Sequence, residues 1–408
     1  MPVDVDCLVI GGGAAGVAAA LEASRHGLEV MLVDERKELR AASGLGGHVT
    51  VLRSSIAWGM FPDRLVSVVT PGDSLDLAPK ATIIAAGAHD RLLPFAGWEH
   101  SSVLTADEAL DAARMLSARL RWIVAGIGEQ GLVLARTLAE GGHDVTYADA
   151  SGGVPGSSDG VERLAGYLIA DVRGRDRIES VALTDAGGRT EERYADAVCV
   201  AYARAPRSEL AWLARCEMEH RPDLGGAVPR RRDGVRTSVD GVFVAGDAAG
   251  LGRPETAALE GQLAGAMAAE QVAGVASART RSRALREQVE AARSADAAAL
   301  RDWIGLMWGL EERYVRAAME RRDVLLCRCE LVPGPAVRNA FDDLASAPGD
   351  VKRATRAGMG ECQGQHCRSL IARAAAVRTG RPVAFDQPLS YRPPVRPITL
   401  AQLIGDGR

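Results

Sequence analysis

The chain has 408 residues, 47% of them hydrophobic and 25% charged, which is the composition of a globular protein with two or three domains. A net charge of −4 and a pI near 6.1 remove any electrostatic case for nucleic acid or an acidic membrane surface. Arginine outnumbers lysine 46 to 3, but the arginines are scattered, which reads as codon bias, and the run Arg230, Arg231, Arg232 reads as a solvated loop. Seven cysteines, four of them clustered, do not make a disulfide framework. The opening MPVDVD leads straight into a strand without a basic and apolar leader. The most apolar helical stretch, about 257–276, carries Glu260, Gln262, Glu270 and Gln271 and is no membrane span. A cytoplasmic protein is the expectation.

In chain order, VDVDCLVI (3–10) reads as a buried strand, followed by GGGAAG, a helix to about His26 and a second strand, EVMLVD. Gly11, Gly13 and Gly16 give G-x-G-x-x-G in the strand–turn–helix setting that a dinucleotide requires, with Ala14 and Ala15 in the turn. Asp34, followed by Glu35, closes the second strand 23 residues after Gly11, where an acid binds a ribose hydroxyl. A helix from about Ala106 to Leu120 starts with a capping box, Thr105-x-x-Glu108. The strand WIVAG, a turn with Gly126, Gly128 and Gly131, a helix to about Glu140 and the strand DVTYAD follow. Asp149 lies 23 residues after Gly126, so the first unit's spacing is repeated. Two dinucleotide folds, the second inserted into the first, give a glutathione-reductase-like α/β architecture with nested Rossmann-like domains. NAD(P) or ATP is the occupant considered for the second site, a structural relic being the other reading. Glu129 stands in that turn where phosphate would approach.

Beyond Asp149 come a loop, SGGVPGSSDG, and short strands such as IESVALTD, with Cys199 and Cys216 read as core positions. Residues 280–323 carry Leu285, Val289, Leu300, Ile304, Met307 and Leu310 at helical spacing, which predicts a long helix or helix pair, with Trp303 and Trp308 as packing anchors. Then four cysteines appear as C-x-C and C-x4-C: Cys327, Cys329, Cys362 and Cys367. On an extended backbone the first two would point the same way. Gly358, Gly360 and Gly364 make the second clip compact, and Arg328, Lys352, Arg353, Arg356 and Arg368 surround it. Four thiolates suit a [2Fe–2S] cluster or a tetrahedral zinc, and unliganded core cysteines are the bland alternative. His366, between the last two cysteines, reads as a solvent-facing loop residue. The tail, with prolines at 382, 388, 393, 394 and 397, should be extended over a surface, such as a subunit interface.

Several segments resemble known families. ATIIAAGAHDRLLPFAGW (81–98), with Ala86 and Gly87, resembles the strand-plus-glycine motif of two-dinucleotide flavoproteins. GVFVAGDAAGLGRPETAALEGQLAG (241–265), with Gly246 and Asp247, resembles their terminal flavin motif. The resemblance implies FAD at the first fingerprint. CRCE and VKRATRAGMGECQGQHC resemble the [2Fe–2S] domain related to bacterioferritin-associated ferredoxin, in the form found on α subunits of multimeric flavin dehydrogenases. Those include opine oxidase, D-hydroxyproline dehydrogenase, dye-linked proline dehydrogenase and hydrogen cyanide synthase. RPPVRPITL extends the likeness to the tail.

The resemblance implies an electron-transfer α subunit. It would work with a flavin-containing β subunit that oxidises a CH–NH bond, with a small ferredoxin-like γ subunit, and with an onward electron acceptor or carrier. The alternatives are a stand-alone NAD(P)H-dependent reductase and a silent scaffold. The implied domains are 1–104 and 241–280 for FAD, 105–240 for the second nucleotide fold, 281–323 as helical linker, 324–380 for the cluster and 381–408 as tail. Two departures stand out: only 47 residues separate Asp34 from Thr82, after the pair Gly46 and Gly47, and the stretch after Asp149 is short. Both would cover nucleotides. No C-x-x-C, His–carboxylate or Ser–His–Asp grouping nominates a catalytic residue.

Overall fold

VDVDCLVI is β-branched and ends in an apolar run, so it becomes a central strand, Val3–Ile10, with Cys7, Leu8 and Val9 wholly buried. The computed structural model describes residues 2–39, 45–116, 118–153, 156–343, 347–381 and 391–404. The chain divides into two compact units. The first comprises Met1–His89, Ala205–Arg301 and Tyr391–Arg408, and the second Asp90–Arg204 and Asp302–Ser390.

In the first unit, Val3–Ile10 lies parallel between Val30–Val33 and Ser74–Ile84. Val242–Val244 adds to the far side of Ser74–Ile84, and Val49–Leu52 to the far side of Val30–Val33. Ile10 is level with Val33 and Ile84, and Ile84 with Val244. Gly11, Asp34, Ala85 and the loop Ala245–Gly246 therefore emerge together at the carboxyl edge, where open α/β sheets bind ligands. A hairpin, Ile56–Met60 and Val66–Val69, extends the sheet antiparallel to the first half of Ser74–Ile84. The helices Ala14–Arg25 and Pro254–Ala273 meet backbone to backbone. A Cβ on Gly261 would stand 2.0 Å from the Ala15 carbonyl oxygen, so only glycine permits that approach.

The second unit repeats the arrangement. Arg121–Gly126 lies parallel between Asp144–Asp149 and Ala197–Ala201, with Asp149 level with Gly126 and with Ala165 of Val161–Ala165. The helix Ala106–Met115 starts on the expected Thr105–Glu108 capping box. It ends at Met115 rather than Leu120, because Leu116 is already extended and a further turn would bury little: Met115 is 83% exposed. One helix, Ala276–Glu320, runs 45 residues and contributes its first part to the first unit and its last part to the second. In the second unit its Glu311 is buried against Arg91 (2.6 Å) and Arg373 (3.4 Å). Trp308 lies between the same two guanidinium groups, 4.7 and 5.0 Å from its ring centre, so it is a cation–π anchor.

Cys199 and Cys216 are core residues, as expected. Of the tail, prolines 382 and 388 lie outside the described residues. The described part ends in a short helix, Leu400–Ile404, where extended chain was expected. Among the described residues no helix is long and apolar enough to cross a membrane.

Candidate functional site

The first fingerprint is shaped for a ligand. Gly11 has φ +108°, and a Cβ there would lie 2.2 Å from the Ala85 carbonyl oxygen; one on Gly16 would lie 1.7 Å from the Gly11 oxygen. At Gly13, by contrast, a Cβ would meet nothing within 4 Å: this is the open side. The helix begins at Ala14, so the amides of Ala14, Ala15 and Gly16 lack helical acceptors and suit a phosphate. Asp34 accepts from the Gly12 amide at 2.5 Å and from the Arg36 amide at 2.8 Å. A carboxylate has about four acceptor positions, so Asp34 retains capacity for ribose hydroxyls.

Beside these residues lies an open cleft. Ile10, Gly11, Asp34, Glu35 and Ala86 line one part and Ser55–Ala57 another. Gly87, with φ +74°, accepts from the Arg207 amide at 2.9 Å. Glu35 accepts from Arg207 at 2.8 Å, with Arg396 3.8 Å away. Burial pushes the Glu35 carboxyl up, but these two cations outweigh it and hold it below its ordinary range.

The loop Gly246–Asp247 is fixed from beneath. The Gly246 amide donates to Glu260 (2.7 Å), which is wholly buried and also receives Arg231 (2.7 Å) and Arg293 (2.5 Å). Arg293 also donates to the carbonyls of Gly250 (2.9 Å) and Leu251 (3.2 Å). The Asp247 carboxylate accepts from the Gly252 amide at 3.1 Å. Arg231 is therefore a largely buried partner of the wholly buried Glu260 and not part of a solvated loop. Glu260, Arg231 and Arg293 were missed from sequence. The available signal was Glu260, one of three glutamates on the otherwise apolar helix Pro254–Ala273 and the one in its middle. Together these residues fit the pyrophosphate, ribose and ribityl chain of FAD.

The second fingerprint has the same turn but a different interior. Asp149 is wholly buried, and one of its oxygens accepts from the Gly128 amide (2.9 Å), the Ser151 amide (2.9 Å) and the Ser151 hydroxyl (2.7 Å). The other is held by the Arg163 guanidinium through Nε (3.1 Å) and a terminal nitrogen. Burial alone would raise this carboxyl; Arg163, the Gly128 amide and Ser151 outweigh it and hold it below the usual range. The Tyr147 hydroxyl donates to the Gly128 carbonyl (2.7 Å), and a Cβ on Gly131 would meet that hydroxyl at 2.5 Å. Gly126, at the start of the turn, also faces the Tyr147 ring. With the Gly128, Ser151 and Arg163 donors in place, the Asp149 carboxylate has no acceptor position left for a ribose hydroxyl. Glu129 turns outward toward Arg136 (3.4 Å).

In the second unit the four clustered cysteines form two pairs. Cys327 ends the strand Leu325–Cys327, and Cys367 caps the helix Arg368–Thr379. The Cys367 thiol hydrogen-bonds Cys327 and, with the amides of Gly358, Glu330 and Cys329, draws the Cys327 thiol down to about 6. The same bond, then burial, pushes Cys367 up. Cys329 and Cys362 are the half-exposed pair; burial first, then contact with Cys362, raises Cys329 to about 11. Cys329 lies in a turn, not on an extended strand, because the chain reverses immediately to pair Leu325–Cys327 with Val332–Pro333. A Cβ on Gly360 would stand 2.3 Å from the Cys329 Cβ, so the two clips touch. The Trp98 indole donates to the Leu325 carbonyl (2.8 Å) and lies under Arg328, fastening the first clip. His366 is half-buried in a turn, and burial, then Arg328, holds its imidazole below its ordinary range. Among the described residues no three His, Cys, Asp or Glu converge on a point where one metal ion would sit. What the described residues show is two pairs of thiols, Cys327 with Cys367 and Cys329 with Cys362.

Comparison with known proteins agrees with this geometry. The family profile described as pyridine nucleotide-disulphide oxidoreductase matches residues 45–272, and that described as FAD dependent oxidoreductase matches residues 6–58. An opine oxidase subunit of Rhizobium meliloti is 26% identical over 98% of this chain and 87% of its own. Hydrogen cyanide synthase subunit HcnB of Pseudomonas aeruginosa is 26% identical over 92% of this chain and 93% of its own. The crystal structure of L-proline dehydrogenase from P. horikoshii superposes with a TM-score of 0.75 at 22% identity, covering 98% of this chain and 80% of that one. The chain belongs to the pyridine nucleotide-disulphide oxidoreductase family, as a flavin-dependent oxidoreductase with the α/β two-dinucleotide-binding fold.

Proposed function

We propose that this chain is the electron-transfer component of a heteromeric FAD-dependent dehydrogenase whose substrate is an amino acid or amine of the opine or proline kind. The observation that carries the reading is the presence, in one chain, of an open flavin fingerprint and four cysteines gathered as two pairs. Relatives over nearly the whole length are named as subunits of opine oxidase and hydrogen cyanide synthase. FAD would be held by Gly11, Gly13, Ala14, Ala15, Gly16 and Asp34, with Ala86, Gly87, Gly246 and Asp247 around it. A [2Fe–2S] cluster would be held by Cys327, Cys329, Cys362 and Cys367. A flavin accepts two electrons together and such a cluster passes one at a time, so the pair couples a two-electron oxidation to a one-electron carrier.

Oxidation of CH–NH to C=N releases two electrons and two protons. Because relatives over nearly the whole length are named as subunits, substrate chemistry is assigned to a flavin-containing β subunit. Onward transfer of the electrons would fall to a small ferredoxin-like γ subunit or to a small-molecule acceptor, and a cytoplasmic location suits this chemistry. The second reading, a stand-alone NAD(P)H-dependent reductase, requires a nicotinamide nucleotide at the second fingerprint, and the saturated Asp149 carboxylate speaks against it.

The test is to purify the chain anaerobically and assay flavin, iron, acid-labile sulfide and zinc. Dye-linked amino-acid oxidation is then measured with and without the β subunit. The reading expects flavin, sulfide matching iron, and activity only with the partner. Replacing any one of the four cysteines by Ser should remove sulfide while flavin stays. Stoichiometric zinc without sulfide, or full activity from the lone chain, contradicts it.

A further inference from the structure

The tail was expected to lie on a surface, but Val395 and Arg396 line the cleft beside the first fingerprint, together with Arg207 and Glu209. This segment is anchored within the first unit. The Val395 amide donates to the Trp58 carbonyl (2.9 Å), Val395 is 6% exposed, and the Tyr391 ring meets Trp212 edge-on at 6.2 Å. Arg207 and Arg396 both approach Glu35, the residue after the ribose-binding position. The Arg207 Nε is buried with no hydrogen-bond partner among the described residues. Two largely buried guanidinium groups side by side repel each other. The neighbouring carboxylates of Glu35 and Glu209 compensate them, and the unused Nε still asks for an acceptor.

The cleft opens at the carboxyl ends of Val3–Ile10 and Val30–Val33, where the adenosine half of a dinucleotide lies in this fold class. A guanidinium plane both stacks on a flat heteroaromatic ring and donates to its ring nitrogens. We propose that Tyr391–Arg396 is a strap completing the first nucleotide site, with Arg207 and Arg396 as the residues that recognise its adenosine diphosphate moiety. This rests on the reading of the first fingerprint as a flavin site only for the source of that moiety. The same chemistry is offered by half of FAD or by free ADP.

The experiment titrates cofactor-stripped full-length chain with FAD, ADP and FMN by calorimetry, in the wild type and in Arg396→Ala and Arg207→Ala. In both variants FAD and ADP should weaken by the same factor, about 10- to 100-fold, the range of a charge-assisted hydrogen bond, while any FMN binding is unchanged. Hydrogen exchange in wild-type chain should slow across 391–396 when ADP is added, a readout that needs no substitution. ADP binding without FAD binding in the wild type would support the strap and overturn the flavin reading. Wild-type affinity for FAD and ADP in both variants, with the wild-type melting temperature kept, overturns the strap and leaves the flavin reading standing. Unchanged exchange across 391–396 also overturns it, and so does a wild type that binds neither FAD nor ADP, which overturns the flavin reading as well.

Discussion

The two fingerprints of this chain are nearly identical on paper and opposite in substance. Each has three glycines at the same offsets and an aspartate 23 residues after the first. At the first, the Asp34 carboxylate accepts from the backbone amides of Gly12 and Arg36, and Gly13 faces open space. At the second, Arg163 and Ser151 consume Asp149, and Tyr147 is bonded to the turn. The motif therefore specifies a backbone, namely a tight turn, a close helix and an acid at a strand end. Whether that backbone holds a nucleotide depends on neighbours outside the motif.

The contrast can be broken most severely from beneath the first site. Glu260→Ala leaves Arg231 and Arg293 buried without their carboxylate and frees the Gly246 amide. The expected cost is about 3–5 kcal/mol in chemical denaturation, with loss of flavin. No described residue under the second turn has this role, so the effect should be confined to the first unit.

Next in size is the pair of aspartates. Asp34→Ala should weaken FAD by about 1.5–3 kcal/mol with a smaller effect on folding, read by flavin fluorescence. Asp149→Ala should leave FAD affinity unchanged while lowering stability by about 1–3 kcal/mol, since the Gly128 amide and Arg163 lose their acceptor. Equal effects of the two on FAD would erase the distinction drawn here.

A finer test separates the glycines. Gly131→Ala should cost about 1–3 kcal/mol by overpacking, and Tyr147→Phe should recover only part of this, because the hydroxyl at 2.5 Å goes while ring carbons at 2.8 Å remain. Gly16→Ala meets the Gly11 carbonyl, and no side-chain truncation should rescue it.

The smallest expected effect is in acid. Asp149 has its folded pKa held below the unfolded value, so its contribution is complete above the unfolded carboxylate range near 4 and is lost as pH falls through the folded value. Asp149→Asn should therefore flatten the stability profile below about pH 4 and leave its slope above pH 5 unchanged. An unchanged acid limb would mean that Arg163 does not hold Asp149 in solution.

Local spacing made much of the fold legible. The first strand–turn–helix, the Thr105–Glu108 capping box and the long helix after residue 276 are each written in contiguous residues. The two cysteine clips were legible for the same reason, although their pairing across the clips and the turn at Cys329 were not, because the return strand Val332–Pro333 forces that turn. What stayed hidden depends on residues far apart in sequence. Arg163 reaches Asp149 from the neighbouring strand, and Arg231 reaches Glu260 from a run of arginines that looks solvated. Arg396 reaches Glu35 from the far end of the chain. Charge compensation is a tertiary property, and a chain with 46 arginines gives no local sign of which ones are buried.

The most direct test of the account is the adenine nucleotide content of the purified chain, released by acid and identified by chromatography, in wild type, Asp34→Ala and Asp149→Asn. One nucleotide per chain, released as FAD from wild type and Asp149→Asn and largely absent from Asp34→Ala, is the predicted result. A second nucleotide in the wild type, or FAD retained by Asp34→Ala and lost from Asp149→Asn, would contradict it.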